Sequence, residues 1–279
     1  AAAREEHFSG ALHDPGLPIE ATRFCLTQAG IQASDLDHVV FYEKPLRKFE
    51  RVLVHQLRAY PNSARSFVHG AFAWLGDRLW IKNRLAKELG VDFGNILFVP
   101  HQLALAANAY YTSPFAEAAL LTIDDAGEWS SSLSGKASGG TIHTTSEIPF
   151  PDSLGFVVSA ITQFLGFMPG HDEYIIETLA PFGKPHYADA FRKLIRSQDQ
   201  GFAVDQSAFR YSFDSELLYS ESLSKHLGPP RYSGDPLLIS DQDSRHGDIA
   251  CSLQTILGER VLALVNEVHS QTASTNLCL

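Results

Sequence analysis

A chain of 279 residues, 44% hydrophobic and 19% charged, has an ordinary globular composition and enough mass for a sizeable core. Its formal net charge of −10 argues against a general nucleic-acid surface, because phosphate would be repelled. No apolar run reaches the roughly 18 residues needed to span a bilayer and no signal peptide is visible, while Cys25, Cys251 and Cys278, without metal spacing, fit buried thiols in a reducing cytoplasm.

The opening A-A-A-R-E-E-H-F reads as the end of a strand. Pro18 to Gly30 follows the turn signal Asp14-Pro15-Gly16 and carries apolar residues at helical spacing. Leu36 to Tyr42 is rich in β-branched and aromatic residues and predicts a strand, broken by Glu43-Lys44-Pro45. Leu46 to Tyr60 is amphipathic at a period of about 3.6 residues. A second helix is expected over about Ala71 to Leu89, carrying Trp74, Leu75, Leu79, Ile81 and Leu85. Ile96 to Val99 is a short buried strand, and a helix beginning at His101 and ending near Ser113-Pro114 follows Pro100.

The chemical centre is expected at Glu117 to Trp129, E-A-A-L-L-T-I-D-D-A-G-E-W. The apolar run Ala118 to Ile123 reads as a strand buried on both faces. Two carboxylates, a glycine and a third carboxylate follow at the point where the strand leaves the sheet, the place where open α/β sheets bind ligands.

Beyond it, Ser130 to Ile148 alternates with a period of two and turns at Gly139-Gly140, which predicts hairpin strands. Ser153 to Leu165 and Tyr187 to Ser197 read as helices, with Phe167 to Gly183 rich in loop between them. The pattern over Gly201 to Tyr232 is weak. Asp248 to Ser270 is the longest clean helix, and Asn276 to Leu279 is a final strand with no turn after it. Strands alternating with helices indicate an α/β fold, and the two ends suggest a fragment of a longer protein, cut on both sides.

Several signatures share one order with a known family. Phe41 to Arg51 reads F-Y-E-K-P-L-R-K-F-E-R; Ser113 opens S-P-F-A-E-A-A-L-L-T-I-D-D-A-G-E-W; Phe150 opens F-P-D-S-L-G-F; Glu173 opens E-Y-I-I-E-T-L-A-P-F-G; Gly228 opens G-P-P-R; Asp248 opens D-I-A-C-S-L-Q. Along nearly its whole length the chain resembles the O-carbamoyltransferases that modify nodulation factors and aminoglycoside antibiotics. The resemblance implies the actin-like ATPase fold, a duplicated ribonuclease H-like architecture, here with a first lobe at residues 1–115 and a second at 116–279, incomplete at the start and the end respectively. It implies transfer of a carbamoyl group from carbamoyl phosphate, through carbamoyl adenylate made from ATP, to a hydroxyl of a sugar-like or natural-product acceptor. It also implies a divalent metal, iron or magnesium, and an adenylating domain that is separate or missing. Such a protein is cytoplasmic, without nucleic-acid or membrane partners, and exposed strand edges at its ends would favour a homodimer.

Residue by residue, the carry-over gives Asp124 and Glu173 as catalytic, His101 and Asp124 as metal ligands, and Asp125, Gly127 and Gly183 as nucleotide-binding. His101 matches the first histidine of a family H-H-x-S-H segment, but Gln102 and Leu105 stand at the other two histidines, and leucine cannot ligate. Asp125 replaces a glycine. A carboxylate there repels phosphate by roughly 4 kcal/mol at about 4 Å and an effective dielectric of about 20, unless it turns to the metal in place of the lost histidine. The basic run of the family appears as E-E-H-F-S-G-A-L-H at Glu5 to His13, without its arginines and lysines, and a family lysine and Met-Gly pair become Ile175 and Glu177-Thr178. Glu43, Lys44, Lys48, Glu50 and Arg51 are intact and read as a charge network at a helix N-terminus. Two readings follow: an active carbamoyltransferase, or an impaired relative that keeps the fold for binding or assembly. A sugar kinase of the same fold would not explain the signatures.

Overall fold

The molecule is built on the strand Glu117–Ile123. Ala118, Ala119, Leu120 and Leu121 are each at most 2% exposed, because helices cover both faces of the sheet they lie in. In the computed structural model, which describes residues 1–76, 78–240 and 242–279 apart from the side chains at positions 69, 71–73, 75 and 76, the elements run as follows.

The first half holds α1 (Glu6–Ser9), α2 (Ile19–Ala29), β1 (Val39–Phe41), α3 (Pro45–Arg58), α4 (Ala64–Gly76), α5 (Ile81–Leu89), β2 (Ile96–Phe98) and α6 (His101–Tyr111). The second holds β3 (Glu117–Ile123), β4 (Ser130–Ser138), β5 (Thr141–Pro149), α7 (Leu154–Phe164), α8 (Tyr174–Leu179), α9 (Ala188–Leu194), β6 (Ile195–Ser197), β7 (Phe202–Val204), α10 (Glu221–Leu227), α11 (Arg245–Thr272) and β8 (Leu277–Cys278). β1 and β2 pair in parallel. The main sheet has the order β5-β4-β3-β8, antiparallel except for β8 beside β3. The protein is thus mixed α/β, as the alternation of periods predicts.

Alternation along β3 divides the core. Ala118 and Leu120 face Ala106 and Tyr110 of α6, with Cys278 of β8 in the same cluster. Leu121 faces the larger cluster formed by α7, α8, α9 and α11, where Val157, Ile161, Phe164, Phe191, Leu253 and Ile256 are fully enclosed. The β4–β5 turn falls at Gly139 and Gly140, both at positive φ (57° and 76°), the conformation a two-residue hairpin turn requires at both central positions. Ser153 caps α7, accepting from Phe156 N–H at 3.0 Å, and its hydroxyl donates to the Asp124 carbonyl at 3.3 Å. That pair of bonds fastens the start of α7 to the end of β3.

Four expectations are corrected. The start of the chain forms the short helix α1 with no buried residue, not the end of a strand. The helix expected over 71–89 begins earlier and is two helices, α4 ending at Gly76 and α5 beginning at Ile81, with a 3-10 turn at Arg78–Trp80 between them; glycine is among the weakest helix formers. The Leu75 side chain assigned to that helix lies outside the described residues. Of Tyr187 to Ser197 only Ala188–Leu194 is helix, and the last three residues are strand, because Ile195–Ser197 pairs with Phe202–Val204. The loop-rich and weakly patterned stretches contain α8 and α10. In α10, Leu223 and Leu227, one turn apart, are fully buried and Ser220 caps the start.

Candidate functional site: a cleft with a free carboxylate and a buried guanidinium

β3 ends at Ile123, and Asp124 and Asp125 leave the sheet in different directions. Asp124 Oδ2 meets His101 Nε2, at the first position of α6, at 2.5 Å. This contact raises the histidine's pKa and holds the aspartate's below the usual carboxylate range. Glu128 secures the other side of the loop. It is buried and accepts the backbone N–H groups of His101 (3.1 Å) and Lys44 (2.6 Å), so one carboxylate satisfies the free donor at the start of α6 and ties it to the start of α3. Gly127 fits beneath the histidine: an added Cβ would stand 3.0 Å from His101 Cβ. Gly127 therefore serves the packing of His101.

Gln102, at the second family histidine, is 2% exposed and belongs to the sheet. Its carbonyl oxygen accepts from Thr122 Oγ1 at 2.5 Å, and its amide donates to the Ser130 carbonyl at 3.3 Å. Leu105 lies partly exposed, with nothing to offer a cation. Among the described residues no group of three or more His, Cys, Asp and Glu side chains converges. His101 and Asp124 are two donors bonded to one another, whereas protein-held divalent centres usually take three or more protein ligands. These residues do not by themselves fit the implied metal; a divalent ion here would need further ligands from water or from outside these 279 residues. His101 Nδ1 is buried without a partner.

Asp125 is placed differently. Its carboxylate sits over the first turn of α7, where a Cβ added at Gly155 would meet Asp125 Oδ1 at 2.3 Å. It lines a cleft of about 550 Å³ and has no protein hydrogen-bond partner among the described residues. The residue as a whole is exposed, but desolvation of its carboxylate in the cleft, with Asp124 and Glu173 nearby, pushes its pKa up to about 6. Glu173 stands behind the wall, with Oε1 accepting from Ser159 Oγ at 2.8 Å and Gly170 N–H at 2.5 Å. It shapes the loop that closes one end of the cleft and does not line it. Gly183 lies elsewhere. A Cβ there would meet the Gly247 carbonyl carbon at 2.0 Å, so it is a close contact between the segment after α8 and the start of α11. Beside it Asp248 accepts from Lys184 N–H at 2.7 Å and faces His186 Nδ1 at 2.8 Å.

The wall opposite Asp125 is made by α3 and α4. Lys48 is paired with Glu43 at 2.5 Å. Arg51, one turn further, is 6% exposed. Its guanidinium lies 4.2 Å above the Phe150 ring, and Nε has no hydrogen-bond partner. Burial brings its pKa down to about 10. The charge network expected for Glu43 to Arg51 is thus real for Lys48 and Glu43 but leaves Arg51 without an ion pair among the described residues, a feature helix spacing alone did not reveal. Trp74, Phe150, Phe156 and Tyr211 add aromatic surface, the last two stacked at 5.0 Å.

Fold and site together define a mixed α/β protein with a cleft between the helices of its first half and the loops at the end of its central strand. The model of the carbamoyltransferase N-terminus family matches residues 1–279, and the chain belongs to that family. It is 36% identical, over its full length, to an uncharacterized protein of Synechocystis sp., of which it spans 46%. It is 31% identical over 97% of its length to the nodulation protein NolNO of Sinorhizobium fredii, spanning 36% of that protein. The chain thus covers less than half of the curated relatives it matches. A solved structure, a Ppx/GppA phosphatase of Aquifex aeolicus, aligns with 41% of this chain and 38% of its own at 17% identity and a TM-score of 0.20, a superposition too loose to define the fold. Among the described residues no helix is long and apolar enough to cross a membrane.

Proposed function

We propose that these residues form the acceptor-side part of an O-carbamoyltransferase, and that the cleft beneath Asp125 is where the acceptor hydroxyl meets the carbamoyl group. One observation carries the reading: Asp125, alone among the three carboxylates of the strand-end loop, presents an uncommitted carboxylate to a cleft of small-molecule size. Asp124 is held by His101 and Glu128 by two backbone amides. In the step proposed, the acceptor oxygen attacks the carbamoyl carbon of carbamoyl adenylate and a new C–O bond forms. The C–O bond to phosphate breaks, AMP leaves with the electron pair, and the hydroxyl proton passes to Asp125. Asp125 then has the role of base, while Asp124 and Glu173 orient the loop and the wall. The meander β5-β4-β3 with β8 parallel beside β3, and the separate parallel pair β1–β2, support an actin-like ATPase fold with lobes at 1–115 and 116–279. Adenylation from ATP and carbamoyl phosphate belongs to a further domain in this reading, and the three free cysteines support a cytoplasmic setting.

The test supplies carbamoyl adenylate to the purified chain with a panel of hydroxyl compounds and looks for a carbamate ester by mass spectrometry. A time-dependent ester with at least one acceptor is expected. Hydrolysis at the protein-free rate, with no ester from any acceptor, would favour the second reading, an impaired relative that keeps the fold for binding or assembly. That reading has its own observation, the mutual bonding of His101 and Asp124 beside Leu105 in place of a wider set of ligands.

A further inference from the structure

We propose that Arg51 is an anion-recognition residue, and that the acceptor taken by this cleft carries a carboxylate or phosphate on a sugar-like body. The inference rests on the assignment of the cleft as the acceptor site. A guanidinium that is 6% exposed is costly to keep charged unless something compensates it. Within the chain the compensation is incomplete. Glu43 and Glu128 favour its charge from a distance. Yet Glu43 is already paired with Lys48, and Glu128 is occupied by two backbone amides. Among the described residues no carboxylate lies within ion-pair distance of Arg51 and Nε is without a partner, while the guanidinium lies over the face of Phe150.

The rest of the cleft says what kind of ligand would complete the pair. The acidic residue nearest the outer loop, Asp214, is satisfied by Arg210 at 2.8 Å and by the N–H groups of Glu216 and Leu217, so it does not compete for Arg51. Phe150, Phe156, Tyr211 and Trp74 give part of the cleft lining an aromatic character, compatible with a sugar-like body. A planar guanidinium over such a surface suits a two-oxygen anion bound in a fork. Asp125, across the same cleft, is left for the hydroxyl. The ligand that fits is therefore bifunctional, with an anionic end at Arg51 and a hydroxyl at Asp125.

Direct binding tests this without requiring turnover, so it can fail while carbamoyl transfer succeeds, and the reverse. Glucose, glucuronate, glucose 6-phosphate and AMP are titrated calorimetrically into the chain and into Arg51→Gln and Arg51→Lys. At least one anionic sugar is expected to bind the wild type at least roughly tenfold more tightly than glucose. Arg51→Gln should abolish that preference and Arg51→Lys should keep part of it. Equal binding of charged and neutral sugars would overturn the proposal. So would tight binding of AMP alone with no charge preference among the sugars, since the anion recognised would then belong to the donor. Should Arg51→Gln fail to fold, tryptophan fluorescence locates the site. The response to the preferred anionic sugar should be at least roughly halved in Trp74→Phe, and an undiminished response there would place the ligand elsewhere and refute the assignment.

Discussion

Asp124 and Asp125 are neighbours in sequence with opposite environments, and a single covalent step along the chain decides which does what. The first is paired with a histidine, which lowers its pKa; the second is exposed to the cleft, and partial desolvation with two other carboxylates nearby raises its pKa. Sequence alone shows two adjacent acids after a buried strand, and that much was legible. The direction each side chain takes was not, because it depends on Ser153, Gly155 and His101, which approach from other elements. The same scale carries a pH prediction away from the cleft. His246 is 3% exposed and its Nδ1 accepts Leu238 N–H at 2.9 Å; burial and the adjacent Arg245 depress its pKa. Below the ordinary histidine pKa of about 6.5 the unfolded chain takes a proton that the folded chain resists, so this residue makes stability fall as pH falls. Melting temperatures at about pH 7.5 and about pH 5.5 should show a smaller acid-induced drop in His246→Asn, which keeps an acceptor, than in the wild type. An unchanged drop would mean that the group does not titrate in this way.

At the level of elements, β3, the β4–β5 hairpin, α7 and α11 follow from pattern because each is local: a short apolar run, two glycines at a turn, a serine cap, a long helical period. Elements shaped by distant partners were hidden. β6 exists because β7 returns to pair with it, and α8 packs on α11, with the segment after it closing on the start of α11 at the Gly183–Gly247 contact. That contact accounts for Gly183 in physical terms and predicts contrasting effects of one substitution. Gly183→Ala places a Cβ 2.0 Å from a backbone carbon of α11, and overpacking against backbone costs roughly 1–3 kcal/mol or more. Gly258→Ala, at an exposed position of α11 with open space around it, should stabilise by about 0.5–1 kcal/mol. Urea unfolding of the two variants checks both signs, and a neutral Gly183→Ala would mean that the approach of α8 to α11 is looser than described.

At the scale of the whole molecule, function sits where separate parts of the chain meet. Lys48, Arg51 and Trp74 come from α3 and α4, Asp125 from the end of β3, Phe150 and Phe156 from the entry to α7, and Tyr211 from a loop far downstream. No window of sequence contains this set, which is why Arg51 reads there as one more charge on a helix face. The chain also spans less than half of the length of these relatives, and the proposed function places the acceptor step in the cleft it contains. That placement gives the most direct test of the account. The rate of carbamoyl ester formation from carbamoyl adenylate, at saturating acceptor, is measured in the wild type and in Asp125→Asn. Loss of a general base is expected to slow the step by about 100-fold or more while acceptor affinity stays within about twofold. A variant that transfers at the wild-type rate would show that Asp125 takes no part in the chemistry and that the reacting groups meet elsewhere.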